Sequence, residues 1–129
     1  MVVIDSSAWV EFFRNTGSPT CSEVDRLLDS EFAICDAIRM EVLAGARDTQ
    51  HLVALRGALA AATQLPTTAA HYDQAAEMYR TCRRNGVTVR KMLDCLIASV
   101  AMSADVPVLH ADRDFDMLAS CTPLRVHRP

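Results

Sequence analysis

The sequence predicts an α/β fold, a parallel sheet with helices on both of its faces. Short apolar runs alternate along the chain with longer segments of helical periodicity. Strands that alternate with helices in this way pair in parallel, because each helix carries the chain back across the sheet. Half of the 129 residues are hydrophobic, which suffices for a packed core in one domain spanning residues 1–129.

The first half of the chain contains two predicted strands and four predicted helices. Ser6 or Ser7 can cap the first helix, and Pro19 is favourable in the first turn of the second. Asp36 caps the third helix, which ends near Gly45. The predicted elements are a strand at 2–5, a helix through Trp9 and Phe13, a helix at 19–28, a strand at 32–35, a helix at 36–45 and a helix at 49–62.

The second half contains three predicted strands and three predicted helices. Pro66 indicates an edge strand, because proline is poorly placed in a central one. Thr67 or Thr68 starts a long helix that reaches Arg84 and stops at Gly86. The predicted elements are the edge strand at 64–66, this long helix, a helix at about 91–104, a strand at 106–109, a short helix at 113–120 and a last strand at 124–126.

The composition argues against several classes of protein. No apolar run approaches the ~20 residues of a membrane span, and the N-terminus lacks the basic stretch of a signal peptide, so we expect a cytoplasmic protein with no membrane partner. The five cysteines form no C-x-x-C pair, which argues against a disulfide framework or a thiolate zinc site. The net charge is −3, from 16 acidic and 13 basic residues. If five of the acids are buried in a site, 11 acids and 13 basic residues remain for the surface, and such a surface permits a polyanionic partner.

Four acidic residues occupy positions where the sequence is otherwise apolar. Asp5 and Asp112 each come just after a predicted strand, and ligands of parallel sheets bind beyond the carboxyl ends of strands. Glu41 and Asp94 each fall on the apolar stripe of a predicted helix. Burying four carboxylates is tolerable only if a cation gathers them. The sequence therefore predicts a divalent metal ion held by hard oxygen ligands.

These acids also have purely structural interpretations. Asp5 can cap the first helix, and Asp94 is favourable near the positive end of a helix dipole. The turn that contains Asp112, Asp114 and Asp116 can cap a short helix, which explains one of its three acids. We favour Asp112 and then Asp114 for the crevice and leave Asp116 on the surface.

A basic cluster contains five of the 13 basic residues between positions 80 and 91. One interpretation is a helix C-terminus whose cations complement its dipole, followed by a solvated turn. The other is a phosphate-binding rim that leads to Asp94. The residues of that rim are Arg83, Arg84, Arg90 and Lys91.

Four segments together resemble PIN-domain nucleases, in particular the VapC-type toxins of VapBC toxin–antitoxin pairs. The segments are VVIDSSAWVEFFR at the start, IRMEVLAG around Glu41, DCLIAS from Asp94, and VLHADRDFDMLA around Asp112. They span the chain in the family's order and spacing. The resemblance implies a three-layer α/β/α PIN-like domain with the strand order 3-2-1-4-5.

The resemblance also implies a reaction, cofactors and partners. It implies an endoribonuclease that uses one or two Mg²⁺ or Mn²⁺ ions on an RNA, often a tRNA, and that forms a homodimer and is blocked by a VapB-type antitoxin. Asp114 would be an accessory metal ligand, and the Ser7 hydroxyl would steady the first aspartate. His110 departs from the family pattern, which more often has Thr two residues before the fourth acid. The catalytic and metal-binding quartet it assigns is Asp5, Glu41, Asp94 and Asp112.

Three other classes of protein stay open as alternatives. Asp112 and Asp114 after a strand are similar to the D-x-D of haloacid-dehalogenase-type phosphatases, but only 15 residues follow Asp114. A receiver-type signalling domain binds Mg²⁺ in an acidic pocket, but it needs paired acids after its first strand, and serines follow Asp5 here. A catalytically idle binding module would have no need of the complete quartet.

Overall fold

The computed structural model describes residues 1–129 and contains a parallel sheet covered by helices. Strands β1 to β4 span Val2–Ile4, Phe32–Cys35, Thr63–Leu65 and Val108–Leu109. Helices α1 to α7 span Ser6–Phe13, Pro19–Leu27, Asp36–Ala44, Thr49–Leu59, Ala69–Arg84, Met92–Ser103 and Arg113–Cys121. None of these helices combines the length and the apolar character that crossing a bilayer requires.

The sheet has the order β3-β2-β1-β4, and all of its strand pairs are parallel. In the middle of the sheet, Val3 of β1 lies between Ala33 and Val108. The predicted last strand at 124–126 is wrong, because Val126 forms only an isolated parallel bridge with Val108. The Val108 amide donates to the Arg125 carbonyl and the His127 amide donates to the Val108 carbonyl, but the pairing does not extend beyond Val108. The predicted order 3-2-1-4-5 is therefore confirmed for four strands.

Two helix starts differ from the prediction. The cap of α1 is Asp5, whose carboxylate accepts a hydrogen bond from the amide of Ser7, so neither serine is the cap. Asp36 is the first residue of α3 rather than its cap, and Cys35 before it forms no side-chain capping bond. The start of α5 after Thr68 is confirmed.

The core lies between the sheet and the helices, and β1 and β2 are buried along their whole length. Strands covered on both faces are apolar throughout rather than alternating, which explains why both appear as continuous apolar runs. Trp9 is fully buried and packs on Phe13 and Phe32. Each fully buried large apolar side chain of this kind contributes roughly 1.5–3 kcal/mol to folding.

Helix α6 is the most deeply placed helix, and its residues 94 to 101 are all buried. It contacts α5, α7 and α3, so its sides are covered by other helices. Its first turn contains Asp94, which α6 thereby brings beneath the carboxyl end of the sheet. β3, by contrast, is exposed, as the proline after it predicts for an edge strand.

Candidate active site

Acidic residues from four segments converge at the carboxyl ends of β1 and β4. Asp5 directly follows β1, and its amide donates a hydrogen bond to the Leu109 carbonyl at the end of β4, 3.0 Å away. Asp112 comes three residues after β4 and caps α7. Asp94 enters from the first turn of α6 and lies close enough to Asp5 and Asp112 to be affected by their charges.

Four of the five predicted site acids are buried. The exposed fraction is 2% for Asp5 and Asp94, 9% for Asp112 and 0% for Asp114. Glu41 is half-buried on α3. Burial of ionised carboxylates is costly unless each charge is balanced by hydrogen bonds, a cation or a metal ion. The partners of each carboxylate therefore decide what the site can do.

Ser7 holds Asp5 in place, as the resemblance implies. Its hydroxyl donates to Asp5 Oδ2 over 2.6 Å, and its amide donates to the same oxygen over 3.0 Å. The Ala111 amide in turn donates to the Ser7 hydroxyl over 2.9 Å. One hydroxyl thus joins the end of β1 to the loop that leads into Asp112.

Ser6 has a role that the sequence reasoning missed. Its hydroxyl donates to Glu41 Oε1 over 3.0 Å and so connects α1 with α3. The only signal in the sequence was the pair of serines directly after Asp5, which we interpreted as alternative helix caps. Because Asp5 caps the helix instead, both serine hydroxyls are available to hold acids.

Asp112 and Asp114 are surrounded by donors, and we call them the paired half of the site. Lys91 Nζ lies 2.8 Å from Asp112 Oδ2, and Arg90 Nη2 lies 3.3 Å from Asp112 Oδ1. Arg90 Nε lies 3.3 Å from Asp114 Oδ1, while the Lys91 amide donates to Asp114 Oδ2 over 3.2 Å. The Asp114 amide also donates to Asp112 Oδ1 over 3.0 Å. All four oxygens of this half have a partner within the protein.

Asp5 and Asp94 differ, and we call them the open half. Asp5 Oδ1 and Asp94 Oδ2 are buried oxygens with no hydrogen-bond partner. Burial raises the pKa of Asp5 to about 6, and burial together with the neighbouring carboxylates raises the pKa of Asp94 to about 8. Burial also opposes ionisation of Asp112, but the bonds from Lys91 and from the Asp114 amide lower the pKa of Asp112 below its ordinary value.

The donor set fits a hard divalent cation. It consists of carboxylate oxygens, and oxygens of Asp94, Asp112 and Asp114 lie within 4.8 Å of one another. Oxygen ligands suit Mg²⁺ and Mn²⁺, whereas zinc and copper sites use imidazole or thiolate. The two orphaned oxygens of the open half are the atoms that most need a cation, since no hydrogen bond within the fold compensates their burial.

His110 lies against the loop that carries Asp112. Its Nδ1 accepts a hydrogen bond from the Asp112 amide over 3.1 Å, and its Nε2 faces Asp116 Oδ1 at 3.3 Å without hydrogen-bond geometry. Burial lowers its pKa, which favours the neutral ring that can accept at Nδ1. His110, which stands where the family more often has Thr, therefore supports the Asp112 backbone through its imidazole.

The structure divides the predicted basic rim into two pairs. Arg83 and Arg84 are exposed in the last turn of α5, where Arg83 lies over the Tyr79 ring at 5.8 Å and forms no ion pair. Arg90 and Lys91 instead contact the paired half, although 59% and 52% of their side-chain surfaces stay exposed.

A groove of about 330 Å³ borders the site on the side of Glu41. Its floor is apolar, with Trp9 and Leu55, and Arg14 and Arg47 are among the residues that line it. It lies between α1, α3 and α4 and does not contain the aspartates of either half of the site.

The parallel sheet with acids at its carboxyl end defines a PIN-domain protein, and a sequence model of the PIN domain matches residues 2–120. The chain belongs to the VapC family of PIN-domain proteins. It is 43% identical over 129 residues to Ribonuclease VapC11 of Mycobacterium tuberculosis, covering 97% of this chain and 96% of that protein. The identity and coverage are the same for VapC ribonuclease Mb1587 of Mycobacterium bovis.

Solved structures share the fold over nearly the whole chain. VapBC2 from Rickettsia felis, bound to a DNA fragment from its promoter, matches with a TM-score of 0.79 at 15% identity over 98% of each chain. VapBC-1 from nontypeable Haemophilus influenzae matches with a TM-score of 0.75 at 16% identity, over 98% of this chain and 97% of that one. At such identities the likeness shows the fold alone.

Proposed function

We propose that the protein is a metal-dependent endoribonuclease that acts as the toxin of a toxin–antitoxin pair. The observation that carries the proposal is the open half, where two buried carboxylate oxygens, Asp5 Oδ1 and Asp94 Oδ2, lack any partner within the fold. A site that gathers acids at this cost is built to bind a cation. The similar mycobacterial proteins are named ribonucleases, which supports RNA as the substrate.

The residues of the site have different proposed roles in phosphodiester hydrolysis. Asp5, Glu41, Asp94 and Asp112 form the acidic quartet that would hold one or two Mg²⁺ or Mn²⁺ ions, with Asp114 beside them. A divalent cation held there supplies activation of water and neutralisation of charge on the phosphate. Ser7 fixes the orientation of Asp5, because its hydroxyl is shared with the Ala111 amide. Glu41 has one oxygen held by Ser6, so its other oxygen is available to accept a proton from the attacking water.

Recognition of RNA would use the basic rim. Arg83 and Arg84 form no ion pair, so their guanidinium groups are free to contact phosphates. Arg90 and Lys91 are about half exposed and can contact RNA with the donors that do not face Asp112 and Asp114. A structured RNA such as a tRNA is the proposed target class, because the resemblance to VapC-type toxins implies a narrow RNA target and proteins recognise RNA sequence mostly in single-stranded loops.

The proposed protein partner is a VapB-type antitoxin. Several structures with the same fold are described as VapBC complexes, including those from Rickettsia felis and Haemophilus influenzae. A cytoplasmic location follows from the proposed RNA substrate. The homodimer stays a prediction of the resemblance, which sedimentation of the isolated chain would test.

The test is cleavage of a tRNA fraction and of an unstructured RNA by the purified protein. We expect cleavage with Mg²⁺ or Mn²⁺, none after EDTA, and an unchanged circular-dichroism spectrum in EDTA, since the apolar core contains no metal ligand. RNA binding without cleavage under every metal condition would instead indicate an idle binding module. Cleavage that persists in EDTA would contradict the metal dependence.

A further inference from the structure

The groove between α1, α3 and α4 adjoins the acidic site but has no role in the proposed metal chemistry. Its volume of about 330 Å³ is near the lower end of the roughly 300–1,000 Å³ of small-molecule sites, which suits one nucleobase with its sugar and excludes a duplex. The groove meets the site at Glu41, which the Ser6 hydroxyl holds from the residue next to Asp5. An RNA strand whose reacting phosphate lies at the acids therefore has this groove beside it.

An aromatic ring in the wall of the groove is partly open to solvent. Phe13 stacks on the buried Trp9, with 5.6 Å between the ring centroids and 20° between the ring planes, and 38% of Phe13 stays exposed. Because Trp9 supports the Phe13 ring from the core side, the ring is held in a fixed orientation. Exposed aromatic rings of this kind bind unpaired bases by stacking, and every base has a face that can stack.

The polar groups of the groove suit a polyanionic strand. Arg14 and Arg47 are exposed, and their guanidinium groups form neither an ion pair nor a hydrogen bond within the fold. Glu41 is the only acid that lines the groove, so the groove is locally positive although the net charge of the chain is −3. His51 Nδ1 accepts a hydrogen bond from the Arg47 amide over 3.1 Å, so the neutral ring carries its proton on Nε2 and can donate to a base edge.

We propose that this groove is a nucleotide subsite, which binds one unpaired base of the RNA next to the reacting phosphate. The base stacks on Phe13, and the adjoining phosphates contact Arg14 and Arg47. The inference rests on the proposed ribonuclease function and adds a site that selects unpaired RNA. A base within a helix has both faces covered by its neighbours, so only an unpaired base can reach the Phe13 ring.

A protein segment with apolar and acidic side chains is the other occupant that the composition of the groove allows. The position of the groove favours RNA, because Glu41 belongs both to the groove and to the proposed catalytic acids. The reacting strand lies at this edge of the site, and the two free guanidinium groups match its phosphates. If a protein segment is the only occupant, the RNA measurements below will not respond to changes in the groove.

The stacking contact is tested with a short single-stranded oligouridylate that carries one 2-aminopurine in its middle. Binding is measured on the Asp94→Asn background, which prevents cleavage, and stacking on an aromatic ring quenches the 2-aminopurine fluorescence. We expect quenching by the parent protein. Phe13→Leu keeps an apolar side chain but loses the ring, so it should remove most of the quenching and weaken binding by roughly tenfold.

Phe13→Tyr is the matched variant, because it keeps the ring and should retain both the quenching and the affinity. Thermal melts verify that both variants are folded. Equal quenching and affinity in the parent, Phe13→Leu and Phe13→Tyr would show that Phe13 has a packing role alone, and would overturn the proposal.

The phosphate contacts are tested with exposed side chains, whose replacement leaves the core intact. Arg14→Gln/Arg47→Gln should weaken binding of the same oligonucleotide and reduce its salt dependence by about 0.7 per lost contact, while the bound base stays quenched. Arg56→Gln is the control, since Arg56 is an exposed arginine of α4 that does not line the groove. An unchanged salt dependence in the double variant, or an equal change in Arg56→Gln, would contradict the phosphate contacts.

The outcome is separable from that of the proposed function. If the wild-type protein cuts RNA while Phe13→Leu binds and quenches like the parent, the nuclease stands and the subsite is rejected. If Phe13 quenches the bound base but the wild-type protein cuts no RNA under any metal condition, the groove is a base-binding site and the nuclease is rejected.

Discussion

The open half and the paired half of the acidic site are buried to a similar degree but differ in charge balance. Asp94 is 2% exposed and Asp114 is 0% exposed, yet Asp94 has an orphaned oxygen while Asp114 is held by Arg90 and the Lys91 amide. The pKa of Asp94 is raised to about 8, whereas that of Asp112 in the paired half is lowered. Burial alone therefore does not decide the charge state of these acids; the donors around each oxygen do.

The largest expected effect comes from removing a carboxylate of the open half. Asp94→Asn and Asp5→Asn should each reduce RNA cleavage to background, a loss on the order of 10³-fold or more, because the cation loses a direct ligand. The fold should persist, and the melting temperature in EDTA should rise above pH 8, where both carboxylates are ionised and their buried charges repel each other. The measurement is cleavage at saturating Mg²⁺ beside thermal unfolding.

Asp116→Asn is the control for this pair, because Asp116 is nearly half exposed and its carboxylate faces Arg128 and His110 and no acid of either half. It should keep full activity. Wild-type activity in both Asp5→Asn and Asp94→Asn would show that cleavage does not need the open half.

An intermediate effect is expected at Ser7, which orients the open half without touching the ion. Ser7→Ala should lower activity about 10- to 100-fold, as the loss of a hydrogen bond behind a metal ligand typically does. Ser7→Thr keeps the hydroxyl and should recover most of the loss. Equal activity of the Ala and Thr variants would show that the hydroxyl does not position Asp5.

The two halves should also respond to pH in opposite directions when no metal is bound. Asp5 and Asp94 have raised pKa values of about 6 and about 8, so their protonated forms stabilise the fold below pH 4, and that contribution is lost as the pH rises to about 8. Asp112 has a lowered pKa, so its contribution is present above pH 4 and is lost in stronger acid.

Thermal melts in EDTA between pH 5 and pH 8 measure this difference. The melting temperature should fall by about 15–20 °C over that range, corresponding to on the order of 5 kcal/mol, since each pKa unit of difference is worth about 1.4 kcal/mol. Saturating Mg²⁺ should remove the fall, because the ion binds the ionised carboxylates. Asp94→Asn should flatten the slope in EDTA, and a slope as steep as that of the wild type would contradict the assignment to Asp94.

The smallest effect is expected outside both halves, at the exposed arginines of α5. Replacing Arg83 and Arg84 by Ala should weaken RNA binding and reduce its salt dependence by about 0.7–0.9 per lost phosphate contact, with unchanged Mn²⁺ affinity. Binding is measured at three salt concentrations on the Asp94→Asn background, which prevents cleavage. Arg56→Ala, another exposed arginine in the last turn of a helix, is the control, and an equal change there would indicate a general charge effect.

The acids themselves were visible in the sequence, but the pairing within the paired half was not, for a physical reason. Asp5 and Asp94 are anomalous within apolar surroundings, and such anomalies are visible in a linear sequence. The pairing of Arg90 and Lys91 with Asp112 and Asp114 joins residues more than 20 positions apart, and the basic cluster had an equally good local interpretation as a surface.

The fold, like the site, was predictable only where it depends on the local sequence. Helices and buried strands follow from local periodicity, so their approximate positions were predictable. The predicted last strand failed because its pairing with β4 stops at Val108, which is decided by contacts across the sheet rather than by local sequence. The role of Ser6 was equally hidden, because its bond to Glu41 spans 35 residues.

The most direct test of the central claim is a crystal structure of the protein with Mn²⁺, in which the anomalous signal locates the ion. We predict that the Mn²⁺ signal lies beside Asp5 and Asp94, with Lys91 still on Asp112 and Arg90 still on Asp114. A peak between Asp112 and Asp114, with the two cations displaced, would contradict the division of the site into an open and a paired half.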